Sequence, residues 1–202
     1  MSEDLRVVKT KENIENSLLE CLKTHKFRDI TVKMIVEKSR INRSTFYHNY
    51  LDKYDLLEQL LGRLTNGLSE CMSTSFVSLE YKNAPSYHPC LKPLLHFFET
   101  NRRAFTILWD TELPVDFSRE LTDLFSSSLL HSMTEQYSIT KENISFAMLY
   151  ADLFASQTLA TIRWWLISSS ELSETELLKI MTANIEKGLF QSMENIFKTG
   201  KG

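Results

Sequence analysis

Glycine and proline are scarce in this chain, five and four among 202 residues, and no glycine lies between Gly67 and Gly188. Hairpin turns and phosphate-cradling loops need residues at positive φ, which glycine supplies most easily. Their scarcity argues against a β-rich fold and against a P-loop or dinucleotide-binding site. All four prolines (Pro85, Pro89, Pro93, Pro114) fall in one middle stretch, which leaves the chain on either side free to form long helices. Cysteine is also rare. Cys21, Cys71 and Cys90 are odd in number and have no pairing spacing, and no charged, apolar, small-residue leader opens the sequence, so a reducing, cytoplasmic setting is expected. The most apolar segment, Ala147 to Ile167, carries Asp152, Gln157 and Arg163, which predicts a protein that does not cross a membrane.

What the sequence does contain is helical periodicity. Ile14, Leu18, Cys21 and Leu22 recur on one face and predict an amphipathic helix from about Thr10 to Thr24, followed by Phe27 as a core plug. Thr31 stands where an N-cap belongs, ahead of a short helix burying Val32, Ile35, Val36 and Ser39. Asn42 is the expected N-cap of a third helix, Arg43 to Tyr50, and Asp52 that of a fourth, Lys53 to about Leu79. Pro93 is expected in the first turn of a helix ending near Asn101. Further helices are predicted over Arg102 to Trp109, Val115 to Gln136, Lys141 to Ser169 and Ser173 to Lys198. In the last, Leu178, Met181, Ile185, Leu189, Met193 and Ile196 alternate spacings of three and four, a stripe that needs a partner surface.

The net charge of −3 hides an asymmetry. Between Lys23 and Lys53 there are eight basic and three acidic residues, net +5, which leaves −8 for the remainder. A basic island in an acidic chain suggests a polyanion-binding face, although an exposed helix face alone also produces such a run. The stretch "INRSTFYHNYLDKYDLL", Ile41 to Leu57, separates the two readings. With Arg43 at zero and about 100° per residue, Phe46 and Tyr50 fall near 300° and 340°, while Ser44, Thr45 and His48 fall at about 100°, 200° and 140°. Arg43, Tyr47 and Asn49 lie on the flanks. Short hydrogen-bonding side chains facing out, with longer polar ones beside them, suit a helix laid into a DNA major groove. Lys53 and the backbone N–H groups opening the fourth helix add a place for a phosphate.

The run "ITVKMIVEKSRINRSTFYHNYLDKYDLL", Ile30 to Leu57, resembles the helix-turn-helix of TetR-type transcriptional regulators. It has the Thr-Val helix start, the Thr-Phe-Tyr of the recognition helix, and the aromatic-x-x-Lys exit into helix four. The resemblance implies an all-α fold of about nine helices. An N-terminal three-helix DNA-binding domain (residues 1–55) is joined directly to a larger effector-binding and dimerisation domain (56–202). It matches Thr31, Arg43, Tyr47, Asn49 and Lys53 to phosphate-contacting positions, and Asn42, Ser44, Thr45 and His48 to positions at the bases. Ser39, Arg40 and Ile41 stand where family members commonly have Ala-Gly-Val. Either the turn needs no positive φ here or Arg40 carries strain; Arg40 is also a candidate phosphate contact.

By the same resemblance the chain is a homodimer through its last two helices. It would be a repressor of a palindromic operator on double-stranded DNA, released by a small-molecule effector. The alternative is an activator or co-regulator working mainly through protein contacts. Candidates for the effector pocket are Phe98, Phe105, Trp109, Tyr150 and Phe154, although aromatic residues at helical spacing also simply fill cores. His88, Cys90 and His96 lie close in sequence but match no zinc spacing, and Pro89 and Pro93 break their register. No nucleophile-base motif is present, so neither a catalytic site, a metal nor a cofactor is expected.

Overall fold

The computed structural model describes residues 5–72, 88–136, 139–168 and 171–188. The fold is all-α. In chain order the elements are α1 (Leu5–Leu22), a 3-10 turn (Phe27–Asp29), α2 (Val32–Ser39), α3 (Arg43–Asn49), α4 (Lys53–Met72) and α5 (His88–Thr100). They continue with α6 (Arg102–Asp110), α7 (Phe117–Gln136), α8 (Ile144–Ile167) and α9 (Glu174–Lys187).

Two compact units result. The first comprises residues 1–66 and 103–120, the second 67–102 and 121–202. The expected boundary at 55/56 falls within the first of these units. The first unit takes in α1 to α3, most of α4 and most of α6.

In the first unit α1 packs on α2 and α2 on α3. Ile14, Leu18, Ile35, Phe46, Leu56 and Leu60 are fully buried there, and Phe27 plugs the core as expected. Glu15 on α1 is also buried, its carboxylate taking hydrogen bonds at 2.7 and 3.1 Å from the Arg63 guanidinium on α4. A buried carboxylate is costly unless paired and hydrogen-bonded, and Arg63 supplies both. Further along, Phe105 stacks on Phe117 at 6.2 Å and leans on Trp109 at 5.4 Å.

In the second unit α5 packs against α8 and α9. Pro93 sits in the sixth position of α5 rather than in its first turn. It therefore removes one hydrogen bond of the helix ladder, and α5 continues past it because Leu91, Leu94, Leu95 and Phe98 bury a continuous stripe. Arg102 closes the C-terminus of α8: its guanidinium lies 4.9 Å over the Trp165 ring and donates to the Leu166 carbonyl at 2.8 Å. α9 opens on a reciprocal cap, in which Ser173 Oγ accepts from the Glu176 N–H and the Ser173 N–H donates to the Glu176 carboxylate. The S-x-x-E signature of that cap is legible in the sequence. Leu189, Met193 and Ile196 of the expected stripe, and the expected end of helix four, lie outside the described residues.

α8 carries two apolar stripes. Ala147, Ala151, Ala155, Ile162 and Trp165 are buried, while Phe146, Leu149, Tyr150, Leu153, Trp164 and Ile167 are exposed. Among the described residues, no helix is long and apolar enough to cross a membrane.

Candidate nucleic-acid interface

The expected contact residues converge on α2, the turn after it, and α3. Thr31 has the extended backbone of an N-cap (φ −116°, ψ 156°), and its hydroxyl oxygen accepts from the Met34 N–H at 3.3 Å. The hydroxyl proton remains for an outside acceptor such as a phosphate oxygen. α2 ends at Ser39, and Arg40 adopts the left-handed conformation at φ 54°, ψ 38°. The Arg40 N–H bonds to the Glu37 carbonyl at 3.4 Å and the Ile41 N–H to Val36 at 3.3 Å. That is the paired closure that usually recruits glycine. The turn therefore does need positive φ, and an arginine adopts it at a cost of about 1–2 kcal/mol.

Two further bonds fix the corner. The Asn13 side-chain amide, from α1, donates to the Ser39 carbonyl at 2.8 Å, and Ser39 Oγ donates to the Ile35 carbonyl at 2.8 Å. Nothing in the helical spacing singled Asn13 out, because its acceptor lies 26 residues on.

α3 divides as its pattern predicts. Phe46 is 0% and Tyr50 2% exposed, with their rings 5.8 Å apart. Asn42, Arg43, Ser44, Tyr47 and His48 are exposed, and Thr45 and Asn49 are half-buried. Asn42 has the N-cap backbone but makes no side-chain cap bond, which leaves its amide facing outward. Arg43 lies 5.5 Å over the Tyr47 ring and donates to its hydroxyl at 3.2 Å. The two flanking residues thus pair with each other on the outer surface. Asn49 is partly committed inward, its amide donating to the Thr45 carbonyl at 2.8 Å.

Lys53, at the start of α4, is engaged within the protein. Its ammonium donates to the carbonyls of Phe27 (2.9 Å), Arg28 (2.9 Å) and Ile30 (2.8 Å), below α2. It also lies 4.9 Å from the Phe27 ring centre. An ammonium has three protons, and all three are used within the protein. Lys53 thus clamps the segment leading into α2. The backbone N–H groups opening α4 are similarly occupied: Asp52 Oδ1 accepts from Tyr54 and Asp55 at 2.8 and 2.9 Å. The Asp55 carboxylate in turn accepts from the Leu51 N–H at 2.7 Å.

Part of the basic island is neutralised internally. Lys23 pairs with Glu20 at 2.6 Å, Lys26 with Glu112 at 3.7 Å and Lys33 with Glu37 at 3.8 Å. Glu20 also meets Arg103. The Lys23 hydrogen bond first, then the charges of Lys23 and Arg103, hold its carboxyl below the ordinary 4.5. Lys38, Arg40 and Arg43 remain exposed around the turn.

Of the aromatic pocket candidates, Phe105 and Trp109 belong to the first unit and Phe98, Tyr150 and Phe154 to the second. Phe98 is fully buried 6.5 Å from Phe125, and Phe105 is fully buried between Trp109 and Phe117. Both are core. Phe154 is half-buried, and Tyr150 is 62% exposed on the outer stripe of α8. Among the described residues no group of three or more His, Cys, Asp or Glu side chains is placed to hold a metal ion. The His88 and Cys90 side chains lie outside the described residues, and His96 faces Glu174 at 3.8 Å.

Comparison with solved structures matches this arrangement over nearly the whole chain. A TetR transcriptional regulator from Streptococcus agalactiae 2603V aligns at a TM-score of 0.53 and 23% identity, covering 91% of this chain and 97% of that one. The chain has the TetR-type regulator fold. The dihydroxyacetone kinase operon activator DhaS has the same fold, with a TM-score of 0.54 and 17% identity over 95% of this chain and 96% of its own. In sequence, the chain is similar to the uncharacterized HTH-type transcriptional regulator YxbF of Bacillus subtilis (strain 168), at 23% identity over 157 residues and 76% of this chain. Those residues span only 38% of that protein. No family model matches.

Proposed function

We propose that the chain is a DNA-binding transcriptional regulator that reads its operator with α3. The observation that supports this most is the division of α3 itself. Phe46 and Tyr50 bolt it to the core, while Ser44 and His48 face out between the Arg43–Tyr47 pair and Asn42. Such a surface can approach base edges closely and hold phosphates at its sides. Ser44, Thr45, His48 and Asn42 are assigned to the bases. Thr31, Arg43, Tyr47, Asn49 and Arg40 are assigned to the backbone. Lys53 leaves the contact set and becomes the support of α2.

The proposed assembly is a homodimer. The exposed stripe of α8, Phe146 to Ile167, is the kind of apolar surface that a second copy covers, together with α9. Two copies of α3 about one DNA turn apart, roughly 34–36 Å, would read a palindrome. A small-molecule effector that prefers the non-binding state would release the dimer. Repression is the reading adopted, since a bound dimer excludes polymerase. DhaS, whose name calls it an operon activator, keeps activation as the second reading.

The test is fluorescence anisotropy of the full chain with fragments of its own promoter region at two salt concentrations. A specific complex that weakens steeply with salt is expected, because phosphate neutralisation releases counterions. Affinity no better than roughly 10⁻⁴ to 10⁻⁶ M, the non-specific range, for every fragment would overturn the reading.

A further inference from the structure

The two described helical glycines of α4 stand in opposite situations. A Cβ added at Gly67 would lie 2.4 Å from the Phe97 ring, so close packing within the second unit demands glycine there. A Cβ added at Gly62 would meet nothing within 4 Å, and its φ is not positive. Neither packing nor backbone conformation asks for glycine at 62. A helix-interior glycine nevertheless costs about 0.5–1 kcal/mol relative to alanine. What the missing side chain provides is room. Gly62 lines an open groove of about 430 Å³ within the first unit, between α4 and the segment joining α6 to α7. Small-molecule sites typically occupy about 300–1,000 Å³.

The lining has a definite chemistry. Leu57 and Leu61, both buried, and the exposed Pro114 and Val115 make it apolar. Among the described residues its charged groups are the exposed carboxylates Glu58 and Glu120, with no lysine, arginine or histidine in the lining. Among the described residues neither glutamate is in an ion pair. The half-exposed ring of Tyr54 adds an aromatic wall.

We propose that this groove binds an amphipathic organic cation, an amine with an aromatic or aliphatic body. The body lies on Leu57, Leu61 and the open face of Gly62, and the ammonium lies between Glu58 and Glu120. An anion meets two carboxylates there and is rejected. Tyr54 ties the groove to the reading surface: its ring packs edge-on against Phe27 at 5.3 Å and lies 5.4 Å from the Lys53 ammonium. Lys53 in turn holds the three carbonyls leading into α2. A ligand pressing on Tyr54 therefore acts on the clamp. That this alters DNA affinity rests on the regulator reading; that the groove binds the amine does not.

The experiment is isothermal titration calorimetry of the full chain with three probes of one shape: tryptamine (cation), tryptophol (neutral) and indole-3-propionate (anion). Tryptamine is expected to bind about tenfold tighter than tryptophol, with the propionate weakest. Gly62→Leu fills the groove while improving helix propensity, so the variant folds, and tryptamine affinity should fall at least about tenfold. The double variant Glu58→Gln, Glu120→Gln should lose the preference for the amine yet keep tryptophol. A tryptamine Kd weaker than about 1 mM, equal affinity for all three probes, or unchanged binding in Gly62→Leu would each overturn the proposal. Tryptamine binding with no promoter fragment bound specifically would instead remove the regulator reading and leave the site in place.

Discussion

The side-chain amide of Asn13, on α1, donates a 2.8 Å hydrogen bond to the backbone carbonyl of Ser39 at the end of α2. The last carbonyls of a helix have no partner within it, and this one is satisfied by a residue from a different element. The bond ties the corner that aims α3 to the first helix of the chain.

Asn13→Ala should accordingly cost about 1–2 kcal/mol of stability, the cost of leaving a partly buried acceptor unsatisfied. Asn13→Asp should cost more, since a carboxylate would face a carbonyl oxygen. Urea denaturation followed by circular dichroism measures both. Equal stability of Asn13→Asp and wild type would show the corner to be held otherwise.

At Arg40 the left-handed backbone predicts the opposite sign. Arg40→Gly should stabilise the protein by about 1 kcal/mol, and Arg40→Val should destabilise it by a similar amount or more, because a β-branched residue tolerates positive φ worst. If Arg40 also touches phosphate, the glycine variant will be more stable yet bind DNA with a salt slope reduced by about one. The two effects separate cleanly in one protein.

Lys53 and His48 form a contrasting pair. Lys53→Met removes a charged donor from three carbonyls and should lower stability by about 2–3 kcal/mol, carrying DNA affinity down with it. His48→Ala should leave the denaturation midpoint unchanged within about 0.5 kcal/mol and instead relax base preference. A Lys53→Met protein as stable as wild type, with only its salt dependence flattened, would return Lys53 to the phosphate-contact set.

For α8, Leu149→Glu combined with Leu153→Glu places two charges on the exposed stripe. Sedimentation velocity should then report a monomer where the wild type is a dimer, with helical content retained. A dimer that survives both charges places the interface elsewhere.

Glu20 gives a pH dependence of defined sign. Its folded-state pKa lies below the ordinary 4.5 because Lys23 and Arg103 favour the carboxylate. The linked stability is therefore fully present above the unfolded value and is lost as pH falls through the folded one. Wild type should exceed Glu20→Gln in urea stability at about pH 7, and the gap should close as pH falls through the folded value. A gap that widened on acidification would contradict the assignment.

Features set by neighbours along the chain were legible in the sequence. The starts of α2, α3 and α4 follow from Thr31, Asn42 and Asp52, and the two faces of α3 follow from the spacing of Phe46 and Tyr50 alone. Features set by distant residues were not. Lys53 reads as a free cation until the carbonyls 23 to 26 residues upstream come under it. Glu15 looks like one more surface charge until Arg63 arrives from α4. The groove joins residues 54–65 to 114–120, and neither segment is concave by itself. Side-chain size alone does not give exposure on α8, where wheel position places Tyr150 outward.

α3 is seven residues long, fewer than two turns. Helices that short do not persist in water, because nucleation fixes several residues before propagation returns anything. α3 therefore has no standing of its own, and its lifetime is that of the seat beneath Phe46 and Tyr50. A fluctuation that lifts those two rings erases the recognition surface outright instead of blurring it. Amide exchange in α3 should then track the opening of the first unit's core.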